Sequence, residues 1–480
     1  MPGAESDVMG LPTGAAPARR GVPSGLKLTA LATGFVMAAL DVTVVNVAGA
    51  AIQEHLDASL SELTWIVDGY VLVFGSLLLL AGGLANRVGA KTVYLWGMAV
   101  FFVASLGCAL APNAGVLIAA RLVQGAGAAL FMPSSLSLLV SAFPEKRQRT
   151  RMLGLWSAIV STSAGLGPTA GGLLVSAFGW RSIFLLNLPI GVVGMLMTRR
   201  YIDPSGVRTG KPAVPGHALW IVALAALSFA LIEGPRLGWG VGPVLTAYAV
   251  VAVAAGLLVV RERRADDPVM PWELFRRPSF AGANLVGFFF NFALYGSMFM
   301  LGLYLQHARG ASPLQAGLEL LPMTIWFPLA NIVYSRISGR FSNGALLTVF
   351  LLIAGVASLT MVGVSSATPF WVLASAVGVA NIGAGVISPG MTAVLVDAAG
   401  AEHANVAGSV LNANRQLGTL VGIAMMSIVL AGVPDWSRGP AVSFLLIGIA
   451  YLAGAAAAWL LIARSERVGA AVSGKVTARV

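Results

Sequence analysis

Fourteen apolar segments, each long enough to cross a bilayer as a helix, constrain this 480-residue chain more than any other feature. They run roughly over 29–49, 63–84, 92–111, 115–141, 152–176, 183–199, 217–233, 241–260, 279–305, 315–337, 345–364, 369–395, 406–432 and 440–463. With 57% apolar and 10% charged residues and a mean hydropathy of +0.84, a soluble fold has too little polar surface to cover so much apolar side chain. The runs are continuous and lack the short alternation of a transmembrane β-barrel, so the expected class is an all-α membrane protein of 14 transmembrane helices.

An even number of spans puts both termini on one side, and the loop cations say which. With the amino terminus in the cytoplasm, the Lys and Arg residues of the loops and tails fall on the cytoplasmic side, except Arg181, Arg236, Arg309 and Arg438. This asymmetry accounts for the net charge of +11 without nucleic acid as a partner. The expected location is the plasma membrane, multi-pass, with both termini cytoplasmic. The Gly/Pro/Ala-rich start reads as a disordered tail. Arg19-Arg20 before an apolar stretch invites a signal-peptide reading, but Asp41 interrupts that stretch, and cleavage would invert every later loop.

Enzymatic tools are missing from this pattern. Gly206 to Pro212 falls one residue short of a phosphate loop and carries Pro where Ser or Thr should hold magnesium. His55, His217, His307 and His403 lie in loops or at helix ends, and Cys108 is the sole cysteine, so neither a metal site, a catalytic constellation nor a cofactor is expected. Work done by such a chain must draw on an ion gradient.

Acidic residues within the spans are then the informative ones, since a central Asp costs roughly 2.5 to 3.5 kcal/mol on insertion scales. At about 1.5 Å per residue, Asp41 lies about 12 Å, Asp68 about 7 Å and Arg121 about 9 Å below the outer ends of their helices. Neighbouring depths make an Arg between two carboxylates a proton switch: protonating one Asp releases the Arg to the other. A static ion pair is the competing reading. Glu319, about 6 Å deep, and Glu233, at the interface, are weaker candidates that solvation explains as well, and Arg415 either snorkels to the inner surface or binds a ligand.

Several motifs together resemble the major facilitator superfamily, in particular its fourteen-helix drug:proton antiporter branch, over residues 29–463. The first helix reads Ala39-Leu40-Asp41-Val42-Thr43-Val44-Val45-Asn46, the second begins Trp65-Ile66-Val67-Asp68-Gly69-Tyr70, and the fourth carries Arg121 to Gly127, which resembles the element linked to proton coupling. The loop with Gly82, Asn86, Arg87, Gly89 and Lys91 is similar to the superfamily's cytoplasmic gating motif. It departs at Asn86, where an Asp is usual, and at Ala90, where a basic residue is usual, which implies a weaker latch. Gly165, Gly167, Pro168, Gly171 and Gly172 in the fifth helix resemble the exporters' antiporter motif; Gly167 and Gly171 have the spacing for close helix approach and Pro168 allows a bend. Tyr304-Leu305-Gln306, Ser312 to Gly317 and Asn414 to Gly418 continue the likeness.

The resemblance implies two pseudo-symmetric six-helix halves with two inserted helices: a cytoplasmic tail over 1–28, the first half over 29–200, a linker with the inserted helices over 201–278, the second half over 279–463 and a tail over 464–480. It implies a monomer that exports a lipophilic or cationic drug-like molecule or antibiotic in exchange for protons. Phe288, Phe289, Phe290, Asn291, Tyr295, Met298 and Trp326 are candidate pocket residues, although lipid or core contact is the commoner use of such side chains. The alternative is proton-coupled uptake of a small nutrient, which calls for a more polar site and sits poorly with the fifth-helix motif.

Overall fold

Each apolar segment forms one helix in the computed structural model, which describes residues 23–204, 214–264, 272–365, 367–400, 404–433, 435–436 and 438–467. The tail before residue 23 with Arg19 and Arg20, residues 206–212, His403 and the tail from 468 lie outside the described residues. The helices are α1 Ser24–Leu56, α2 Leu60–Val88, α3 Ala90–Ala109, α4 Ala114–Ala142, α5 Lys146–Phe178, α6 Ser182–Tyr201, α7 Val214–Leu237, α8 Gly242–Arg264, α9 Pro278–Ala308, α10 Pro313–Ile337, α11 Asn343–Gly363, α12 Phe370–Ala399, α13 Ala404–Gly432 and α14 Gly439–Arg467. All are long and apolar enough to span a bilayer.

Apolar sequence carries each helix into the membrane, and local chemistry sets its ends. Asn113 caps α4 by accepting from Val116 N at 2.9 Å, and Ser59 and Glu62 form a reciprocal capping box at the start of α2. Gly89, at φ 95°, supplies the left-handed turn that ends α2 and starts α3 without a loop. Proline interrupts the hydrogen-bond ladder inside α4 at Pro133, α5 at Pro168 and α12 at Pro389.

Helices α1 to α6 pack on one another, as do α9 to α14, while α7 and α8 pair together and lean on α2 and α13. The halves meet along α2 with α13, α5 with α10, and α1 with α9. With no hydrophobic drive between helices inside lipid, close backbone approach takes over. A Cβ at Gly167 would lie 2.8 Å from Thr43 Cβ and one at Gly171 3.0 Å from Val44 Cα, so these two positions seat α5 on α1. Gly165 turns instead toward Thr324 of α10, and Gly172 toward Leu314 of the same helix, making α5 the seam between the halves.

Four hydrogen bonds between the halves lie in the part of the bundle away from the face that carries the Lys/Arg-rich loops. Gln306 Nε2 donates to Val47 O at 3.0 Å, Leu314 N to Ser176 Oγ at 3.0 Å, Thr169 Oγ1 to Gly317 O at 3.2 Å, and Thr64 Oγ1 to Ser427 Oγ at 2.7 Å. Toward the basic face, Leu155 and Ile159 of α5 and Ile332 and Val333 of α10 are exposed.

Candidate functional site

Arg121 and Asp41 form a buried ion pair between α4 and α1, each about 2% exposed or less. Residues that bring the helices together also surround the pair. One turn along α4, Gly125 lies so close to α2 that a Cβ there would stand 2.5 Å from Tyr70 O. Gly127 presses α4 on α3 in the same way, at 2.6 Å from Phe101 N.

A buried guanidinium needs its donors satisfied, and Arg121 is served on several sides. Its Nε donates to Ile66 O at 2.9 Å and its Nη1 to Gln124 Oε1 at 2.7 Å and to Asp41 Oδ2. Its Cζ lies 4.5 Å from the centre of the Tyr70 ring and 5.8 Å from that of Phe184. Gln124 Nε2 donates to Asp41 Oδ1 at 2.9 Å and to Ser105 Oγ at 2.9 Å; Asn187 Nδ2 reaches both acceptors at 3.4 Å. Helices α1, α2, α3, α4 and α6 therefore converge on one titratable carboxylate in a sealed network. Protonating Asp41 would remove the counter-charge of Arg121 and alter an acceptor that orients Gln124.

Asp68 is not part of this network. It is fully buried, and neither carboxylate oxygen has a hydrogen-bond partner. Helical spacing sets it on the same face of α2 as Thr64 and Gly75, which meet Ser427 and Gln416 of α13. The expected Arg between two Asp is thus an Arg paired with Asp41, and Asp68 lies on the seam between the halves.

Arg415 of α13 packs against Gly287 of α9, and its Nε is buried without a partner. In α10, Glu319 accepts from Gln315 Nε2 at 2.8 Å through Oε1, while Oε2 has no partner. Glu233 accepts from Ser61 at 3.0 Å, Trp65 at 2.8 Å and Arg236 at 2.7 Å, which ties inserted helix α7 to α2. In the loop segment, Gly82 and Asn86 belong to the last turns of α2, Arg87 precedes the turn at Gly89, and Lys91 donates to Arg199 O at 3.1 Å and Ile202 O at 2.6 Å, fastening α3 to the end of α6 within one half. Of the candidate pocket residues on α9, Phe290, Asn291 and Met298 are buried, and Phe288 packs edge-on against Phe289 at 5.4 Å.

The carboxy-terminal half has a polar centre of its own. Ser297, Ser358, Asn381 and Tyr451, from α9, α11, α12 and α14, line a cavity of about 10 Å³. Ser297 and Ser358 bond to backbone carbonyls, whereas Asn381 Oδ1 and Tyr451 Oη have no partner. Ser105, Gln124 and Asn187 escaped the sequence reading as site residues; the available signal was a hydrogen-bonding side chain at mid-depth in each of three apolar helices.

A family model for the Major Facilitator Superfamily matches residues 31–423. The chain belongs to the Major Facilitator Superfamily. Within the superfamily it is 76% identical, over 94% of both chains, to a methylenomycin A resistance protein of Streptomyces coelicolor, and 45% identical to one of Bacillus subtilis over 94% of this chain and 96% of that protein. It is 34% identical to a tetracenomycin C resistance and export protein of Streptomyces glaucescens over 84% of this chain and 75% of that one. A fourteen-helix superfamily transporter spanning a bilayer accounts for the fold.

Proposed function

We propose that this protein exports a drug-like small molecule or antibiotic across the plasma membrane in exchange for protons, acting as a monomer with both termini in the cytoplasm. The observation that carries the coupling is the Asp41–Arg121–Gln124 network: one ionisable carboxylate, sealed among helices of one half, opposite one cation. Relatives named for resistance to methylenomycin A and for resistance to and export of tetracenomycin C support the direction of transport. In this reading the contacts away from the basic face close the outer side, and the halves part toward the cytoplasm.

The chemistry runs through the chain's own groups. Ionised Asp41 holds Arg121 toward α1. A proton on Asp41 neutralises it, and Arg121, already held by Ile66 O, turns toward another anion. Asp68, two residues beyond Ile66 and lacking a partner in this state, serves as that alternative on the seam with α13. Moving the cation between α1 and the seam changes the electrostatics of the interface about which the halves rock. Proton entry down about 100 mV and one pH unit releases about 2.3 plus 1.4 kcal/mol, enough for a few hundredfold gradient of a neutral drug.

Drug uptake into everted vesicles with an imposed pH gradient tests this: accumulation should track the gradient and collapse with a protonophore, and gradient-independent movement overturns coupling. Orientation is tested separately. A reporter that fluoresces only in the cytoplasm should be bright after Arg149 and Arg467 and dark after Asn113, and a bright signal at Asn113 reverses the topology.

A further inference from the structure

The inserted pair encloses a second, separate pocket. Gly216, His217 and Trp220 of α7, Leu258 and Glu262 of α8, Phe275 just before α9, Asn284 of α9, and Val410, Ala413 and Asn414 of α13 line a cavity of about 80 Å³. About 10–15 Å³ admits one water, so this volume has room for about six water-sized groups. It lies at the basic-face end of the bundle: Trp220 and Asn284 each stand six residues, about 9 Å, inside the basic-face ends of their helices. In a bundle spanning a hydrocarbon core of about 30 Å, a pocket about 9 Å from the helix ends lies within the adjoining leaflet, short of the bilayer centre.

Two lining residues lack the partners their burial demands. Asn284 is 4% exposed; its Nδ2 donates to Phe280 O at 3.0 Å, which fixes the amide and leaves Oδ1 as an unused acceptor. Trp220 Nε1 is an unused donor, also buried. The carboxylate on the wall, Glu262, is paired with Arg261, and the pair folds over the start of α7, where a Cβ on Gly216 would come within 2.7 Å of Glu262 Oε1. The rest of the wall is mainly apolar. One unused donor and one unused acceptor, a neutralised carboxylate and an apolar wall describe a complement that is uncharged, presents a carbonyl or hydroxyl oxygen to Trp220 and a hydroxyl or amide hydrogen to Asn284, and carries a hydrocarbon body.

We infer that this pocket is a binding site for an uncharged, hydrogen-bonding amphiphile taken up from the adjoining leaflet. It is distinct from the Asp41–Arg121 centre, and its existence does not depend on the direction of transport. A neutral glycerolipid and a neutral drug share this chemistry.

The probe is a monoacylglycerol with a diazirine in its acyl chain, added to the full-length protein in phosphatidylethanolamine/phosphatidylglycerol nanodiscs, with crosslinked residues read by peptide mass spectrometry. Labelling should concentrate on Leu258, Val410 and Ala413 and exceed that by a lysophosphatidic acid carrying the same diazirine. It should fall about tenfold in Trp220→Phe, the loss expected for one net hydrogen bond in a dry pocket, and further in Trp220→Phe/Asn284→Leu. Trp220→Phe keeps the ring, so it supplies the comparison should the double variant fail to fold. Labelling spread evenly over the lipid-facing side of α8, equal labelling by the anionic analogue, or unchanged labelling in Trp220→Phe overturns the site. Chloramphenicol, an uncharged amphiphile with hydroxyl and amide groups, decides the source: displacement of the probe assigns the site to drug-like ligands, and persistence of the label assigns it to glycerolipid, either result requiring the site itself.

Discussion

In the amino-terminal half, α1, α3, α4 and α6 converge on Asp41, Ser105, Arg121, Gln124 and Asn187; in the carboxy-terminal half their counterparts by order, α9, α11, α12 and α14, converge on Ser297, Ser358, Asn381 and Tyr451. The first centre is charged and densely bonded. The second is neutral and leaves two polar atoms without partners around a space about the size of one water. Equivalent places in two similar bundles thus carry different chemistry. The first centre holds a carboxylate that a proton would neutralise; the second holds none. Of these two centres only the one in the amino-terminal half holds ionisable partners, and the proposed coupling rests on that half.

The largest expected effect breaks the charged side of this comparison. Asp41→Asn keeps the volume and the hydrogen bond from Gln124 but cannot titrate. Gradient-driven efflux should fall to background, losing the few hundredfold accumulation that about 3.7 kcal/mol per proton supports, while drug binding in detergent persists. Full efflux in this variant would make the pair a static structural element.

Next in size is a stability effect. Arg121→Leu strands the Asp41 carboxylate, so thermal unfolding in detergent should reveal a loss of about 3–5 kcal/mol, and Asp41→Asn/Arg121→Leu should recover most of it without restoring transport. A double variant no more stable than the single one would mean that the pair is not the dominant interaction at this place.

Asp68→Asn probes the seam. Because neither oxygen has a partner, the amide should leave stability unchanged or raise it by about 1–3 kcal/mol, yet reduce efflux at least about tenfold by removing the second anion for Arg121. Wild-type efflux would confine coupling to Asp41.

The smallest effect lies on the neutral side. Tyr451→Phe deletes an unpartnered buried hydroxyl and should change stability by no more than about 1 kcal/mol and leave the pH dependence of efflux intact. A shifted pH profile would erase the contrast between the halves.

The spans, their number and the ion pair's members were legible in the sequence because insertion costs are paid residue by residue along each helix, and Asp41 and Arg121 stand out against an apolar background. Gly167 and Gly171 announced close packing, and α1 proved to be the helix they pack on. Depth alone could not separate Asp41 from Asp68, since it says nothing of the angle a side chain takes about its helix; one faces α4 and the other the α13 seam. Gln124, Asn187 and Ser105 were hidden for a related reason: single neutral polar residues in apolar helices are common, and only convergence of three helices gives them meaning. The link from Glu233 to Ser61 and Trp65 spans two distant segments, and solvation from the outer surface had seemed sufficient for it.

That link ties the outer end of the inserted pair to α2, in addition to the packing of α7 on α13. Glu233 moors α7 to α2, whereas the far wall of the pocket beneath the pair belongs to α9 and α13. If the halves turn against each other and α7 stays with α2, the pocket's two walls ride on opposite sides of the hinge, and its width becomes a gauge of the transport cycle. A molecule lodged there would act as a wedge, favouring whichever stage leaves the gap widest, and would set the pump's idling position from the lipid side without touching either the carboxylates or the central path.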